Sequence, residues 1–372
     1  MTASVEDAEL LREAVRDAFT SLSTSADVRA AMATAVGYEP ATWRRLAGEL
    51  GLPGMAIDTE LGGGGFSVAE LAIAFEEAGA TLLCSPLFAT AGLAVPLLQA
   101  IGDADALAKY ASAIAGGELT ATVALAEDDG RRDVASVTCT ATQSDAGWML
   151  DGVKNYVVDG ASAGLVLVVA HAGAELGVFA VDGDATGLAR EQLVTLDQTR
   201  KQARLVLTSV PAVRLGSGDA VATIAHATAV SRTLLAAEQA GGAQRCLDMT
   251  VEYAKTRIQF GRAIGSFQAI KQKLAECLVQ VESARSAAYA AAEAAATGDP
   301  EFEHIAAIAA LTCGHAYSWV TAQTIQLHGG IGFTWEHDAH LYFKRARSSA
   351  SLLGSSGQLV KLIAGELDAT AH

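Results

Sequence analysis

The chain has 372 residues, of which 51% are hydrophobic and 18% charged, so it can bury a large core and still leave apolar surface for subunit interfaces. Its net charge of −16 disfavours broad nucleic-acid binding. No apolar run reaches the ~18–20 residues that span a bilayer, and the acidic N-terminus is unlike a secretory signal. The five cysteines form no CxxC pair, so neither zinc nor a disulfide framework is expected, and a reducing cytoplasm fits.

The predicted elements change type twice along the chain. Residues 1–117 predict an all-α domain, because apolar residues recur at helical spacing in LLREAVRDAF and the turn ELGGGGFS precedes the helix VAELAIAFEEAGA. Residues 118–216 carry short β-branched runs punctuated by Gly, Asp and Pro, which predict a central antiparallel β-barrel or sandwich. Residues 217–372 predict a four-helix bundle. Its helices are expected near 218–255, 266–296, 301–329 and 338–368.

Two motifs at helix junctions of the last part resemble those of one family. RIQFGRAIGSFQ occupies residues 257–268, and QLHGGIGF occupies residues 326–333. Both resemble signatures of acyl-CoA dehydrogenases, and LAGELGLPG with the FEEAG helix resembles that family's N-terminal domain. The resemblance covers essentially the whole chain in the same order: helical domain, β-domain, four-helix bundle.

The resemblance implies a set of cofactor-binding residues, which we call the clamp. In the family these groups hold the ADP half of an FAD whose ring lies in a neighbouring protomer, so the FAD is expected to be shared across a subunit interface. An arginine offers a planar fork to phosphate oxygens, and a glycine lets the backbone approach a ligand. Taken singly, each group has an ordinary alternative as a cap, a surface residue or a core residue; only their joint occurrence favours FAD. The clamp consists of Arg257, Phe260, Gln268, Gln326 and Gly330.

The family's catalytic glutamate is missing from both places where the resemblance locates it. These base positions fall on Gly354 and Ser231. Neither residue can abstract the α-proton of an acyl-CoA. Glu238 lies seven residues beyond Ser231, which is ~10 Å along a helix axis. We therefore predict no catalytic residue in this chain.

The segments that resemble the flavin-ring site also depart from the family pattern. A Thr-Glu-Pro-x-x-Gly-Ser-Asp strand corresponds to residues 126–133, where the threonine is replaced by Ala126. A Trp-Ile-Thr segment corresponds to residues 156–158, which read Tyr-Val-Val. Two hydroxyl donors are thereby lost, and a buried acceptor without its donor costs about 1–3 kcal/mol.

These departures predict the non-catalytic subunit of a heteromeric enzyme, similar to the actinobacterial α2β2 acyl-CoA dehydrogenases of sterol side-chain β-oxidation. The expected partners are a paralogous subunit that carries the glutamate, an acyl-CoA substrate of the cholesterol or steroid side-chain type, and an electron-transfer acceptor. No metal, nucleic acid or membrane is expected. Two alternatives stay open: a self-sufficient homotetramer with an unconventional base such as Glu238, and a flavin-free structural subunit.

The basic run FKRAR, residues 343–347, is interpreted as a solvated helix face rather than a contact to a CoA phosphate. The acidic and histidine residues 336–340 are interpreted as helix capping rather than as a metal site.

Overall fold

The computed structural model describes residues 5–145 and 147–370. They form two compact units, each assembled from separate stretches of chain. The first unit comprises residues up to Val28, Val68–Leu83 and residues from Arg232 onward, and the second comprises Arg29–Ser67 and Cys84–Ser231. The division into three domains at residues 117 and 216 remains a prediction.

Helices dominate both ends of the chain. The first group is α1 (Val5–Leu22), α2 (Ser25–Ala33), α3 (Pro40–Gly48), α4 (Val68–Ala80), α5 (Val95–Ile101) and α6 (Ala104–Ala115). A π-helical stretch, Phe88–Ala94, leads into α5. The second group is α7 (Val221–Thr256), α8 (Gln268–Thr297), α9 (Phe302–His328), α10 (Ala339–Ser349) and α11 (Ser356–Thr370).

Seven strands of the described chain lie in the second unit and curl into a barrel. Pairing runs β4-β2-β3-β7-β5 and closes because β5 also pairs with β4; β1 and β6 attach to β4 and β7. Most pairs are antiparallel, as predicted, but β1 runs parallel to β4, and β2 makes one parallel pair with β4. The strands are β1 (Ala121–Ala124), β2 (Thr140–Ser144), β3 (Gly147–Val158), β4 (Leu165–Ala172), β5 (Glu175–Asp182), β6 (Leu188–Gln192) and β7 (Gln202–Leu215).

The barrel strands bury apolar residues on both of their faces. Inside, Leu150, Phe179 and Leu205 are fully buried. Outside, β4 and β5 pack against α5 and α6 through residues such as Leu167 and Ile114. Strand β4 is therefore a continuous apolar run without alternation, which is typical of a strand covered on two sides.

In the first unit, α4 and α7 approach each other at backbone contact distance. A Cβ on Gly79 would lie 1.9 Å from the carbonyl oxygen of Glu238, and one on Gly241 would lie 1.8 Å from that of Glu76. Only glycine permits this approach. The crossing therefore fixes the positions of Glu76 and Glu238.

The predicted helix 338–368 is wrong in one respect: it is broken into α10 and α11. Gly354 lies in the break with φ of +128°, which a residue with a side chain rarely adopts. Ser355 and Gln358 then form a capping box, in which the Ser355 N–H donates to Gln358 Oε1 at 2.9 Å and the Gln358 N–H donates to Ser355 Oγ at 3.3 Å.

Within the described residues, one helical stretch is long and apolar enough to cross a bilayer by length and composition. It runs over Phe302–Phe333, and 50% of its most apolar window is buried inside the protein. A core helix of a bundle has the same properties, so this stretch is weak support for a membrane span.

Candidate functional site

Three clamp residues lie on the connector between α7 and α8. Arg257 follows the last residue of α7, and Gln268 is the first residue of α8. Between them, the short strands β8 (Ile258–Gln259) and β9 (Arg262–Ala263) form a hairpin. Its two turn residues, Phe260 and Gly261, have φ of +53° and +77°, as in the tight turns that suit hairpins. Phe260 is 91% exposed, so the turn holds an aromatic ring in solvent despite an unfavourable backbone conformation.

The other two clamp residues lie at the end of α9 and just beyond it. Gln326 is exposed in the last turn of the helix, and Gly330 is exposed in the short 3₁₀ segment that follows. A Cβ on Gly330 would meet nothing within 4 Å, so packing within this chain does not require glycine there. Close approach by a molecule outside the chain would explain the residue.

The two connectors lie at the same end of the bundle. The ring of Tyr253, in the last turn of α7, stacks on His328 with 4.4 Å between centroids. The Tyr253 hydroxyl also donates to the His328 carbonyl oxygen at 3.3 Å. His328 is the last residue of α9, and burial lowers its pKa, which favours the neutral imidazole. The structure thus brings all five predicted clamp residues to one end of the first unit.

The clamp donors have no partners within the described part of the chain. The side chains of Arg257, Gln268 and Gln326 are exposed, and no described residue makes a hydrogen bond or ion pair with them. Arg262, on the same connector, instead stacks its guanidinium 4.1 Å from the centroid of the Phe267 ring. A free arginine fork on a chain of net charge −16 is suited to an anionic ligand such as a pyrophosphate.

Neither predicted base position carries a carboxylate. Gly354 has no side chain. Ser231 is buried on α7, and its hydroxyl donates to the Ala227 carbonyl oxygen at 2.9 Å. A serine hydroxyl bound in this way neither carries negative charge nor has a base beside it to remove its proton.

Glu238 is engaged in a buried ion pair. Arg345 Nη1 lies 2.9 Å from Glu238 Oε1, and the two side chains are only 4% and 5% exposed. The prediction of a solvated basic helix face at residues 343–347 is therefore wrong for Arg345. The pair joins α7 to α10.

The predicted flavin-ring segments lie in the second unit, where a buried ion pair organises them. Glu127 accepts hydrogen bonds from the Lys154 ammonium and, at 2.6 Å, from the Thr138 hydroxyl. Lys154 is fully buried and also donates to the Leu125 carbonyl oxygen at 3.3 Å. Burial alone would raise the pKa of Glu127, but the charge and hydrogen bonds of its partners outweigh burial and lower that pKa.

A contact between a cation and an aromatic ring also lies in these segments. The guanidinium of Arg132 lies 5.5 Å from the centroid of the Tyr156 ring, and Tyr156 has φ of +52°. Ala126 and Val158, which stand where the family pattern has hydroxyl donors, are both buried. Arg132 therefore places a cation where the resemblance has a serine, whereas Tyr156 keeps an aromatic ring where it has a tryptophan.

A cavity without predicted site residues lies elsewhere, in the first unit. It has a volume of about 670 Å³, and α1, α4, α7, α8 and α10 line it. Its charges neutralise one another: Arg12 donates to both Glu76 and Glu77, while Tyr289 donates to Glu76 at 2.9 Å. None of the predicted site residues lines this cavity. The described residues contain no group of three or more His, Cys, Asp or Glu suited to a metal.

Sequence reasoning missed Arg232, the residue next to Ser231. Its Nε donates to the Leu353 carbonyl oxygen at 2.9 Å, and its Nη2 lies 3.6 Å from where a Cβ on Gly354 would stand. The signal was a lone cation within an apolar helical stretch, next to a base position.

Comparison with known proteins identifies the family. The models of the acyl-CoA dehydrogenase N-terminal and C-terminal domains match residues 5–118 and 218–367. Acyl-CoA dehydrogenase IpdE2 of Mycobacterium tuberculosis is 37% identical over 97% of this chain and 98% of its own length. The chain belongs to the acyl-CoA dehydrogenase family. Members of this family are flavin-dependent oxidoreductases. The resemblance noted in the sequence and the predicted fold class are thereby confirmed.

Other relatives of this chain differ from it in length or are described as complexes. Acyl-CoA dehydrogenase FadE34 of Mycobacterium tuberculosis is 38% identical over 98% of this chain but only 48% of its own length. Among solved structures, a variant named Tcur3481-Tcur3483 steroid ACAD is 32% identical, with a TM-score of 0.90 over 98% of this chain and 99% of that one. The ChsE4-ChsE5 complex of Mycobacterium tuberculosis is 27% identical, with a TM-score of 0.89 over 98% of each chain.

Proposed function

We propose that this chain is the non-catalytic subunit of a heteromeric FAD-dependent acyl-CoA dehydrogenase. It contributes the clamp for the ADP half of an FAD, and a paralogous partner supplies the catalytic glutamate and the pocket for the flavin ring. The observation that carries the proposal is the absence of a carboxylate at both base positions, Gly354 and Ser231, combined with clamp donors that have no partner in their own chain.

The reaction needs a carboxylate to remove the α-proton of the acyl-CoA and an acceptor for the β-hydride, which FAD supplies when bound. In this chain Arg257 would donate to phosphate oxygens, Phe260 would cover the adenosine, and the two clamp glutamines would donate to polar atoms of the ADP half. Gly330 leaves room for the ligand beside its backbone. These residues bind and orient the cofactor, and none of them moves a proton.

We propose an α2β2 tetramer with two flavins rather than four, acting on a CoA thioester of a steroid side chain such as that of cholesterol. Support comes from the relative named a steroid ACAD and from the relative described as a complex of two named chains. FadE34 is about twice the length matched here, so it has room for a second domain set of similar size. A tetramer with half the sites removed would leave space for a polycyclic acyl group.

A self-sufficient enzyme would need another base, and Glu238 is the candidate. Its ion pair with Arg345 counts against this role, because a base held by a buried guanidinium has little tendency to accept a proton. A flavin-free structural subunit would need no free donors on the clamp. The unpartnered Arg257, Gln268 and Gln326 therefore favour flavin contact over that alternative.

Purification with and without a partner tests the proposal. The chain alone is expected to carry little flavin and no dehydrogenase activity, and co-expression with a paralogue that carries the glutamate should restore both. A yellow, active preparation of the chain alone would overturn the proposal. An active complex whose flavin content is unchanged by Arg257→Ala would instead favour the structural subunit.

A further inference from the structure

A small cavity adjoins Gly354 in the first unit. It measures about 20 Å³, is partly open to solvent, and is lined by α7, α9, the end of α10 with the segment after it, and the first turn of α11. Its polar lining is contributed by Arg232, Gln239 and Ser349, and the rest is aliphatic or glycine. A cavity needs about 10–15 Å³ to hold one water, so this one accommodates a monatomic ion or a very small molecule.

Arg232 has a positive charge that the surrounding chain satisfies only in part. Its single hydrogen bond to a described residue is the one from Nε to the Leu353 carbonyl oxygen, and it forms no ion pair with a described residue. Burial lowers the pKa of Arg232, and the charge of Glu303 acts in the opposite direction without forming a bond to it. The terminal nitrogens of the guanidinium are therefore free to donate.

Gln239 faces the same cavity and is also unsatisfied. The residue is 3% exposed, yet its amide makes no hydrogen bond to a described residue. The amide lies 3.8–3.9 Å from where a Cβ on Gly314 would stand, so α9 closes the cavity without providing a partner. An amide that lines a cavity without a protein partner is available to a ligand or an ordered water.

We propose that Arg232 and Gln239 bind a small monovalent anion, of halide or formate size, beside Gly354. A cation and an amide N–H donor face one cavity, and the N-terminus of α11 begins two residues beyond Gly354, which adds positive potential.

The bound anion would neutralise Arg232 and link α7 to the segment between α10 and α11. It would also place an exchangeable negative charge where the resemblance locates a covalently attached carboxylate. The inference goes beyond the proposed function and does not rest on it, since the cavity is formed by one chain and needs neither flavin nor a partner.

The first test is crystallographic and uses the protein as purified, with its partner if one is required. Crystals soaked in bromide should show an anomalous peak within hydrogen-bond distance of the Arg232 terminal nitrogens and the Gln239 amide. A well-ordered water at this place in bromide-soaked crystals would overturn the proposal.

The second test measures thermal unfolding in sodium chloride, bromide, formate or gluconate at matched ionic strength. Chloride, bromide and formate should raise the Tm stepwise with each tenfold increase in concentration above the Kd, whereas gluconate is too large to enter. Arg232→Gln should abolish the difference between chloride and gluconate, and Arg262→Gln, a change to an arginine outside the cavity, should preserve it. A response to formate but not to halides would assign the site to carboxylates. Equal melting curves in all four salts would contradict the proposal.

Discussion

At the clamp, the side chains of Arg257, Gln268 and Gln326 extend into solvent without partners from the described chain, whereas around the base positions most polar groups are bound internally. Ser231 donates to its own helix, and Glu238 is held by Arg345. A site that serves another molecule keeps its donors free, because an internal partner would compete with the ligand. A site that no longer serves chemistry can be filled by packing and ion pairs.

The largest effect is expected at the buried ion pair between Glu238 and Arg345. Glu238→Ala should lower the free energy of unfolding by about 3–5 kcal/mol, because it removes the carboxylate that pairs with the buried Arg345 guanidinium. Urea unfolding of the purified protein measures the loss. The double variant Glu238→Leu with Arg345→Met should recover most of the stability. If Glu238 were instead the base, Glu238→Gln would abolish activity in a preparation that melts like the wild type.

The next largest effect is expected at the clamp. Arg257→Ala should weaken FAD retention in the co-expressed complex by about 1.5–3 kcal/mol, or roughly ten- to a hundredfold, through loss of charge-assisted hydrogen bonds. Flavin absorbance per complex after gel filtration measures it. Arg262→Ala is the matched control, since Arg262 stacks on Phe267 and should affect flavin content little.

Two glycines near the end of α9 sharpen the contrast. Gly332→Ala should destabilise the chain by about 1–3 kcal/mol, because the new Cβ would lie 3.0 Å from the Cβ of His328. Gly330→Ala should change unfolding by less than about 0.5 kcal/mol and should instead lower flavin content, since its Cβ meets nothing in this chain. The comparison fails if Gly330→Ala also destabilises the chain while flavin binding is normal.

The smallest expected effect is the dependence of stability on pH through Glu127. The pKa of Glu127 is lowered from its ordinary value of 4.5, so the folded state binds the proton less readily than the unfolded state. The stability that Glu127 contributes is therefore present above pH 4.5 and is lost as the pH falls below that value through the lowered pKa. Urea unfolding at pH 7 and pH 3 should show Glu127→Gln less stable than wild type at pH 7, with a smaller difference at pH 3. An equal difference at both values would contradict the assignment.

The sequence predicted the proximity of the five clamp residues better than it predicted the contacts around the base positions, for a physical reason. Clamp residues lie close together in two motifs, so local spacing reveals them. Gly79 with Glu238, and Arg232 with Leu353, are contacts between residues more than a hundred positions apart, which no local pattern encodes. Strand β6 carries little signal in the sequence, because LAREQ is polar and pairs only with β7. The break before α11 was readable in SSGQ, whose serine and glutamine form the capping box.

Native mass spectrometry of the chain co-expressed with a glutamate-bearing paralogue tests the central claim most directly, because it reads subunit ratio and flavin count together. The proposed function predicts two copies of each subunit with two flavins, and no stable flavin-loaded assembly of this chain alone. Four copies of this chain by itself, each with one flavin and with dehydrogenase activity, would contradict it.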